Sequence, residues 1–239
     1  MMYTIYNQSS ATMDQVPDAS VDLVVMSPPY NIGTAYGSYT DDIESVDYWT
    51  MLAKVFMGCV CALKPNGRLI LQAADTIITQ NHPYRMVCVQ YAGLLANRLI
   101  KFDRLRLETR HYQLVKSEGD QELPEDMFDP KHYFAPCSNY VHSNTHQWLV
   151  FRKGSVRRKK GKILYFNSVP EDGHPCPFGD EEIAFVLDCY FPNRGVVLDP
   201  FMGIAKLGVE VIRRGGSFIG YELSPEIYAV AERNLGKAT

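Results

Sequence analysis

Two short stretches of this sequence carry residue types that could do chemistry together. The first is Ser27-Pro28-Pro29-Tyr30. Consecutive prolines offer no amide donors and keep the backbone extended, so their carbonyls stand out as acceptors. A hydroxyl precedes them and an aromatic ring follows. Such an acceptor-rich corner beside an aromatic plate suits a planar amine. The amino group of a nucleobase is a poor nucleophile because its lone pair is delocalised into the ring. If the Ser27 oxygen and the Pro28 carbonyl accepted its N–H groups, the nitrogen would be drawn toward tetrahedral geometry and the lone pair freed. Tyr30 would stack on the base, an interaction worth about 1–3 kcal/mol. The plainer alternative is a proline turn that ends a strand.

The second stretch is Asp199-Pro200-Phe201-Met202-Gly203, with Glu222 lying 19 residues after Gly203. Gly203 permits a close backbone approach just before an expected helix. A helix N-terminus there would favour a carboxylate or another anion. Glu222 is placed like the acidic ribose clamp of nucleotide-binding α/β folds. The G-x-G-x-x-G fingerprint is absent, which disfavours NAD and FAD.

Both stretches follow apolar runs. Val21 to Met26 is almost wholly apolar, as strands buried on both faces are. Val196 to Leu198 leads into Asp199 in the same way. Ligands of open α/β sheets bind at the carboxyl ends of strands. Further strands are expected at Tyr3–Asn7, Arg68–Leu71, Leu105–Val115, Gln147–Lys153 and Ser217–Tyr221. Helical spacing covers Val46–Leu63, closed by Lys64-Pro65-Asn66-Gly67, and also His82–Ile100, Asp180–Tyr190 and Ile204–Arg214. Ser224-Pro225 opens a last helix to Leu235, since Ser caps free amides and Pro fits the first turn. The alternation predicts an α/β three-layer sandwich with about seven strands. The segment 116–144 is rich in Pro, Asp, Glu, Asn and Ser and reads as a long loop.

Composition bounds the rest. The 239 residues are 46% hydrophobic and 21% charged, which suits one globular domain over 1–239 and excludes disordered or fibrous classes. No apolar run is long enough for a membrane span, and the first residues lack a signal-peptide pattern. Six cysteines without a C-x-x-C pair fit reduced thiols and a cytoplasmic setting. His142 and His146 have helical metal spacing, but no second ligand pair accompanies them, so no metal is expected. Seven basic and no acidic residues fall between Arg152 and Lys162, against 17 basic and 27 acidic in the remainder. That run reads either as a solvated loop or as a phosphate contact.

The order Ser-Pro-Pro-Tyr first and Asp-Pro-Phe-x-Gly last resembles the S-adenosylmethionine-dependent DNA amino-methyltransferases (cytosine N4 or adenine N6), in their permuted β group. Pro17 to Leu23, Leu63 to Gly67, His174-Pro175-Cys176-Pro177-Phe178 and Gly220 to Pro225 agree with it. The likeness covers roughly residues 3–75 and 145–236. It implies a Rossmann-like class I methyltransferase fold with a mostly parallel sheet and circularly permuted motifs. Ser27, Pro28, Pro29 and Tyr30 would be catalytic, and double-stranded DNA the substrate, with its target base flipped out. Asp199, Pro200, Phe201, Gly203, Glu222, Leu223, His174, Pro175 and Phe178 would bind S-adenosylmethionine. Arg157, Arg158, Lys159 and Lys160 would touch phosphates. The loop 116–144 and the basic segment 154–173 would serve target recognition, with a homodimer partner as a further source of specificity. A cognate restriction endonuclease would be the biological partner.

Ser as the first motif residue resembles the cytosine-N4 members; adenine-N6 members mostly carry Asp. The alternatives left open are an adenine-N6 enzyme, an RNA base methyltransferase, and a catalytically inactive nucleic-acid-binding relative. Carbon-5 methylation needs a Cys after Pro, and Pro136-Cys137 and Pro175-Cys176 have that form but follow no convincing buried strand. Two departures from the family stand out. Ile204-Ala205-Lys206 replaces two hydroxyls and a glycine, and Gln8-Ser9-Ser10 offers no carboxylate for the adenine.

Overall fold

The computed structural model describes residues 2–31, 33–37, 39–74, 77–79, 87–89, 105–115, 145–156, 160–166 and 177–238. In chain order the strands are β1 (Tyr3–Tyr6), β2 (Val21–Met26), β3 (Ala35–Tyr36), β4 (Tyr39–Thr40), β5 (Leu63–Ala74), β6 (Ile77–Thr79), β7 (Val87–Val89), β8 (Leu105–Val115), β9 (Thr145–Lys153), β10 (Ile163–Phe166), β11 (Val196–Asp199) and β12 (Ser217–Tyr221). The described helices are α1 (Ser45–Ala62), α2 (Asp180–Tyr190), α3 (Lys206–Arg213) and α4 (Pro225–Gly236).

Eight strands form one sheet in the order β1-β12-β11-β2-β5-β9-β8-β10. Seven run in one direction and β9 runs against them. The expected α/β sandwich with a mostly parallel sheet is therefore observed. Its eighth strand, β10, arises inside the segment 154–173 that was read as a recognition element. Among the described residues its four pair with β8 alone, at the sheet edge.

The central strand β2 shows why the layers form. Val24 and Met26 pack on the α1 side, while Leu23 and Val25 pack with residues of α2, α3 and α4 on the other. A strand covered on both faces must be apolar at nearly every position. Asp22 is the exception: it accepts both Lys64 Nζ contacts at 2.8 Å and the Val196 amide at 2.8 Å, tying β2 to β5 and β11.

Three expectations are corrected. Lys64 to Gly67 belongs to β5, as an irregularity: Val21 pairs with Leu63, but Leu23 pairs with Arg68, and Asn66 turns to φ 66°. The turn signal therefore interrupts the strand without ending it. The helix expected over His82–Ile100 does not form at Val87–Val89, which pairs antiparallel with Ile77–Thr79. Val-Cys-Val is short and β-branched, and such a run turns to strand when a partner strand is at hand. The remainder of that expectation, and the whole loop 116–144, lie outside the described residues. Helix α3 starts at Lys206, two residues later than expected, because Gly203 and Ala205 both take left-handed φ values (53° and 60°).

Candidate functional site

All the parallel strands end at one edge of the sheet, and β9 begins there, with His146 opposite Ala74. A cleft of about 690 Å³ opens along that edge. The turn after β1 supplies Gln8, Ser9 and Ser10. The turn after β2 supplies Ser27 to Tyr30, and β5 supplies Gln72. Pro200 to Gly203 follow β11, and Glu222 and Leu223 follow β12. The two stretches separated by some 170 residues in the sequence thus line one cavity.

Each side of the cleft is held by its own hydrogen bonds. Ser27 Oγ donates to Gln72 Oε1 at 2.7 Å, so its lone pairs remain available to a donor in the cleft. The Pro29 carbonyl accepts Tyr48 Oη from α1 at 2.7 Å. Downstream, Asn31 exchanges two bonds with Ile43 (2.8 and 2.9 Å), and Asp41 accepts the amides of Asn31 and Thr34. These bonds fold the segment carrying Thr34, Tyr36 and Ile43 against the cleft.

On the opposite side, the Met202 amide donates to the Tyr221 carbonyl at 2.9 Å and seats the loop on β12. Gly220 lies beneath it: a Cβ there would stand 2.3 Å from Met202 Sδ. Asp199 is buried and is not among the lining residues. Its carboxylate accepts the Phe201 amide at 3.0 Å and so holds the loop. Burial, reinforced by nearby Glu222, pushes its pKa up to about 7, against the lowering pull of that amide. Glu222 accepts the Ser224 amide at 2.7 Å, and burial raises its pKa as well. Ser224 caps α4 through Ile227 N at 3.4 Å, with Pro225 in the first turn, as the sequence predicts.

Beside the β5–β9 edge, Phe178 stacks on Trp148 at 5.7 Å. Trp148 Nε1 donates to Gln113 Oε1 at 2.6 Å, and Gln113 in turn donates to Glu182. Glu182 also accepts the Gly179 amide at 2.8 Å and lines the cleft with Lys206, which pairs with Asp180 at 2.8 Å. Gln72, Tyr48 and Glu182 carried no sequence signal as site residues, and His146 carried only the metal spacing. Each reaches the cleft or its walls through pairing or packing that is distant along the chain. His146 lies in strand β9, not in a helix, and His142 lies outside the described residues. Among the described residues no group of His, Cys, Asp and Glu could hold a metal ion.

His174, Pro175, Arg157, Arg158 and Lys159 lie outside the described residues, as do Cys137 and Cys176. Lys160 is exposed on the connection into β10 and does not line the cleft. No described helix is long and apolar enough to cross a membrane.

A family model described as DNA methylase (N6/N4) matches residues 21–233, spanning both halves of the cleft. The chain belongs to this DNA methylase family. Over 251 residues it is 23% identical to the DNA adenine methyltransferase YhdJ of Escherichia coli K12, covering 98% of this chain and 83% of that protein. Its fold is similar to that of the TTHA0409 protein of Thermus thermophilus, solved with S-adenosyl-L-methionine. The TM-score is 0.71 and the identity 18%, covering 100% of this chain and 96% of that one. The PvuII cytosine-N4-specific DNA methyltransferase superposes with a TM-score of 0.69 and 19% identity, covering 98% and 86%. An adenine enzyme is thus among the chain's sequence matches and a cytosine enzyme among the proteins that share its fold.

Proposed function

We propose that this methylase transfers a methyl group from S-adenosylmethionine to the N4 amino group of a cytosine flipped out of double-stranded DNA. The observation that carries the reading is the Ser27–Gln72 hydrogen bond at the edge of a cleft whose other wall is Pro200 to Gly203 and Glu222.

The cofactor supplies an electrophilic methyl on a sulfonium sulfur. The residues present suit it. The Glu222 carboxylate is shaped for ribose hydroxyls, and the left-handed Gly203 leaves room for a close approach. Lys206 and the first turn of α3 favour the amino-acid carboxylate. A cation there offsets the hydroxyls that Ile204-Ala205-Lys206 replaces. Gln8 Nε2 is committed to the Thr12 carbonyl and to Gln15 at 3.1 and 3.3 Å. Its carbonyl oxygen is the group left to accept an adenine amino hydrogen, in place of a carboxylate.

Ser27 holds the target amine. Its hydroxyl proton is given to Gln72, so its oxygen accepts one amino hydrogen while the Pro28 carbonyl accepts the other. The Pro29 carbonyl is engaged by Tyr48, which fixes the turn. Tyr30 stacks on the base. A hydroxyl bonded to a neutral carboxamide, where a carboxylate would mark adenine enzymes, favours cytosine.

The test is methylation of mixed-sequence duplex DNA with labelled cofactor, followed by mass spectrometry of the released nucleosides. N4-methylcytosine is expected. N6-methyladenine overturns the choice of base, and label transferred to structured RNA alone overturns the substrate.

A further inference from the structure

Methyl transfer to an amine leaves a proton that the groups just described do not take. As the amino nitrogen bonds the methyl carbon, the carbon–sulfur electron pair stays on sulfur. The nitrogen then carries a positive charge and one hydrogen too many. The Ser27 hydroxyl and the Gln72 carboxamide are not bases. Both Glu182 oxygens accept hydrogen bonds, from Gln113 and from Gly179. Lys206 is a cation paired with Asp180.

One described side chain in the cleft is a neutral base. His146 lines the cavity, and its Nδ1 is buried with no hydrogen-bond partner among the described residues. A buried polar atom left unpaired costs about 1–3 kcal/mol, so Nδ1 is open to a hydrogen-bond partner that enters the cleft. Its position is set by β9. Trp148 pairs directly with Gln72, so His146, two residues earlier on the same face, is the diagonal neighbour of Gln72. Diagonal pairs lie about 7–8 Å apart at the backbone, within reach of long side chains. His146 therefore lies on the same sheet face as Gln72, one diagonal step away, and lines the same cleft as Ser27. Of the charged groups lining the cleft, Glu182 and Lys206 face it from α2 and α3, and Glu222 from the end of β12.

We infer that His146 receives the proton released by the methylated amino nitrogen and so completes the reaction. This rests on the function proposed above. The Nδ1 lone pair takes one N–H proton as the nitrogen–carbon bond forms, so less charge builds on the nitrogen in the transition state; the nucleobase becomes a neutral methylamino product, and the imidazolium returns its proton to water when the product leaves. Burial lowers the His146 pKa to about 4, so the ring stands neutral and ready to accept at neutral pH. A ring-conjugated ammonium is a much stronger acid than that imidazolium, so the transfer runs downhill.

The test uses the full chain with His146→Gly and His146→Gln, the second keeping the site filled. Cofactor affinity by calorimetry and duplex affinity by anisotropy are expected to stay within about threefold of the parent. Single-turnover methyl transfer is expected to fall about 100-fold or more. Added imidazole is expected to restore the Gly variant at least tenfold, a response that a structural role would not give. A rate within threefold of the parent in either variant, or a loss in the Gly variant that imidazole leaves untouched, overturns the inference. A parent that transfers no methyl to DNA overturns the function beneath it, which separates the two failures.

Discussion

Gly220→Ala probes how the cofactor side of the cleft is held. Replacing Gly by Ala inside a strand ordinarily stabilises by about 0.5–1 kcal/mol, because the unfolded chain loses freedom. Here the added Cβ would stand 2.3 Å from Met202 Sδ and 2.7 and 3.1 Å from the Phe218 ring. Met202 and Phe218 are buried, at 5% and 1% exposure; Phe218 has no space to retreat into, and Met202 can move only toward the cleft. Overpacking of this kind costs about 1–3 kcal/mol. Set against the backbone gain, the net effect is a destabilisation of about 1–2 kcal/mol. At this chain length that lowers Tm by about 2–4 °C per kcal/mol. The Met202 side chain yields first, and it carries the loop bonded to Tyr221, so Pro200 to Gly203 move into the cleft. Calorimetry with S-adenosylmethionine should show affinity falling at least tenfold. Gly236→Ala, where a Cβ meets nothing within 4 Å, is the control and should bind normally. If Gly220→Ala matches the parent in both Tm and affinity, the loop is not seated on β12 as described.

Three further outcomes follow from the same geometry. Ser27→Ala removes an acceptor from the target amine and should lower single-turnover transfer by about 100- to 1000-fold; cofactor affinity should hold, and an equal loss of both would contradict the division of the cleft. Glu222→Gln exchanges charge-assisted bonds worth about 1.5–3 kcal/mol for neutral ones, so cofactor affinity should fall roughly 10- to 100-fold, as read by calorimetry. Asp199 has a folded pKa of about 7, raised above an unfolded 3.8, so its stabilising neutral form is complete below pH 3.8 and is lost as pH rises through 7. Between pH 5 and 8 the parent should therefore lose stability relative to Asp199→Asn, by at most about 1.4 kcal/mol per pH unit, in urea unfolding; a difference independent of pH would contradict the burial of that carboxyl.

What was legible in the sequence was local. Val21 to Met26 announces a strand covered on both faces because burial leaves little choice of residue. Ser224-Pro225 announces a helix start because one side chain does the capping. The pairing of Ser27–Tyr30 with Asp199–Gly203 could be anticipated, since both follow such strands and strand ends gather at one edge. Contacts made across the sheet were not legible. Gln72 reaches Ser27 from 45 residues away, and Tyr48 reaches Pro29 only because α1 packs over β2. Among the described residues, the four of β10 gain strand structure from β8 alone, within a charged segment that hides them. His146 shows the limit most clearly: four-residue spacing to His142 suggested a helix face, while pairing with Ala74 makes it a strand residue on the cleft edge. Asp199 belongs to a recognisable motif, yet its carboxylate turns inward to the Phe201 amide.

One cleft should present a methyl donor to an amine held by Ser27. The most direct measurement is a crystal structure of the chain with S-adenosylhomocysteine. Ribose hydroxyls are expected on Glu222, and the sulfur between Phe201–Gly203 and Ser27–Tyr30, facing the Ser27 oxygen. A ligand bound elsewhere, or bound with its sulfur turned away from Ser27, would contradict it.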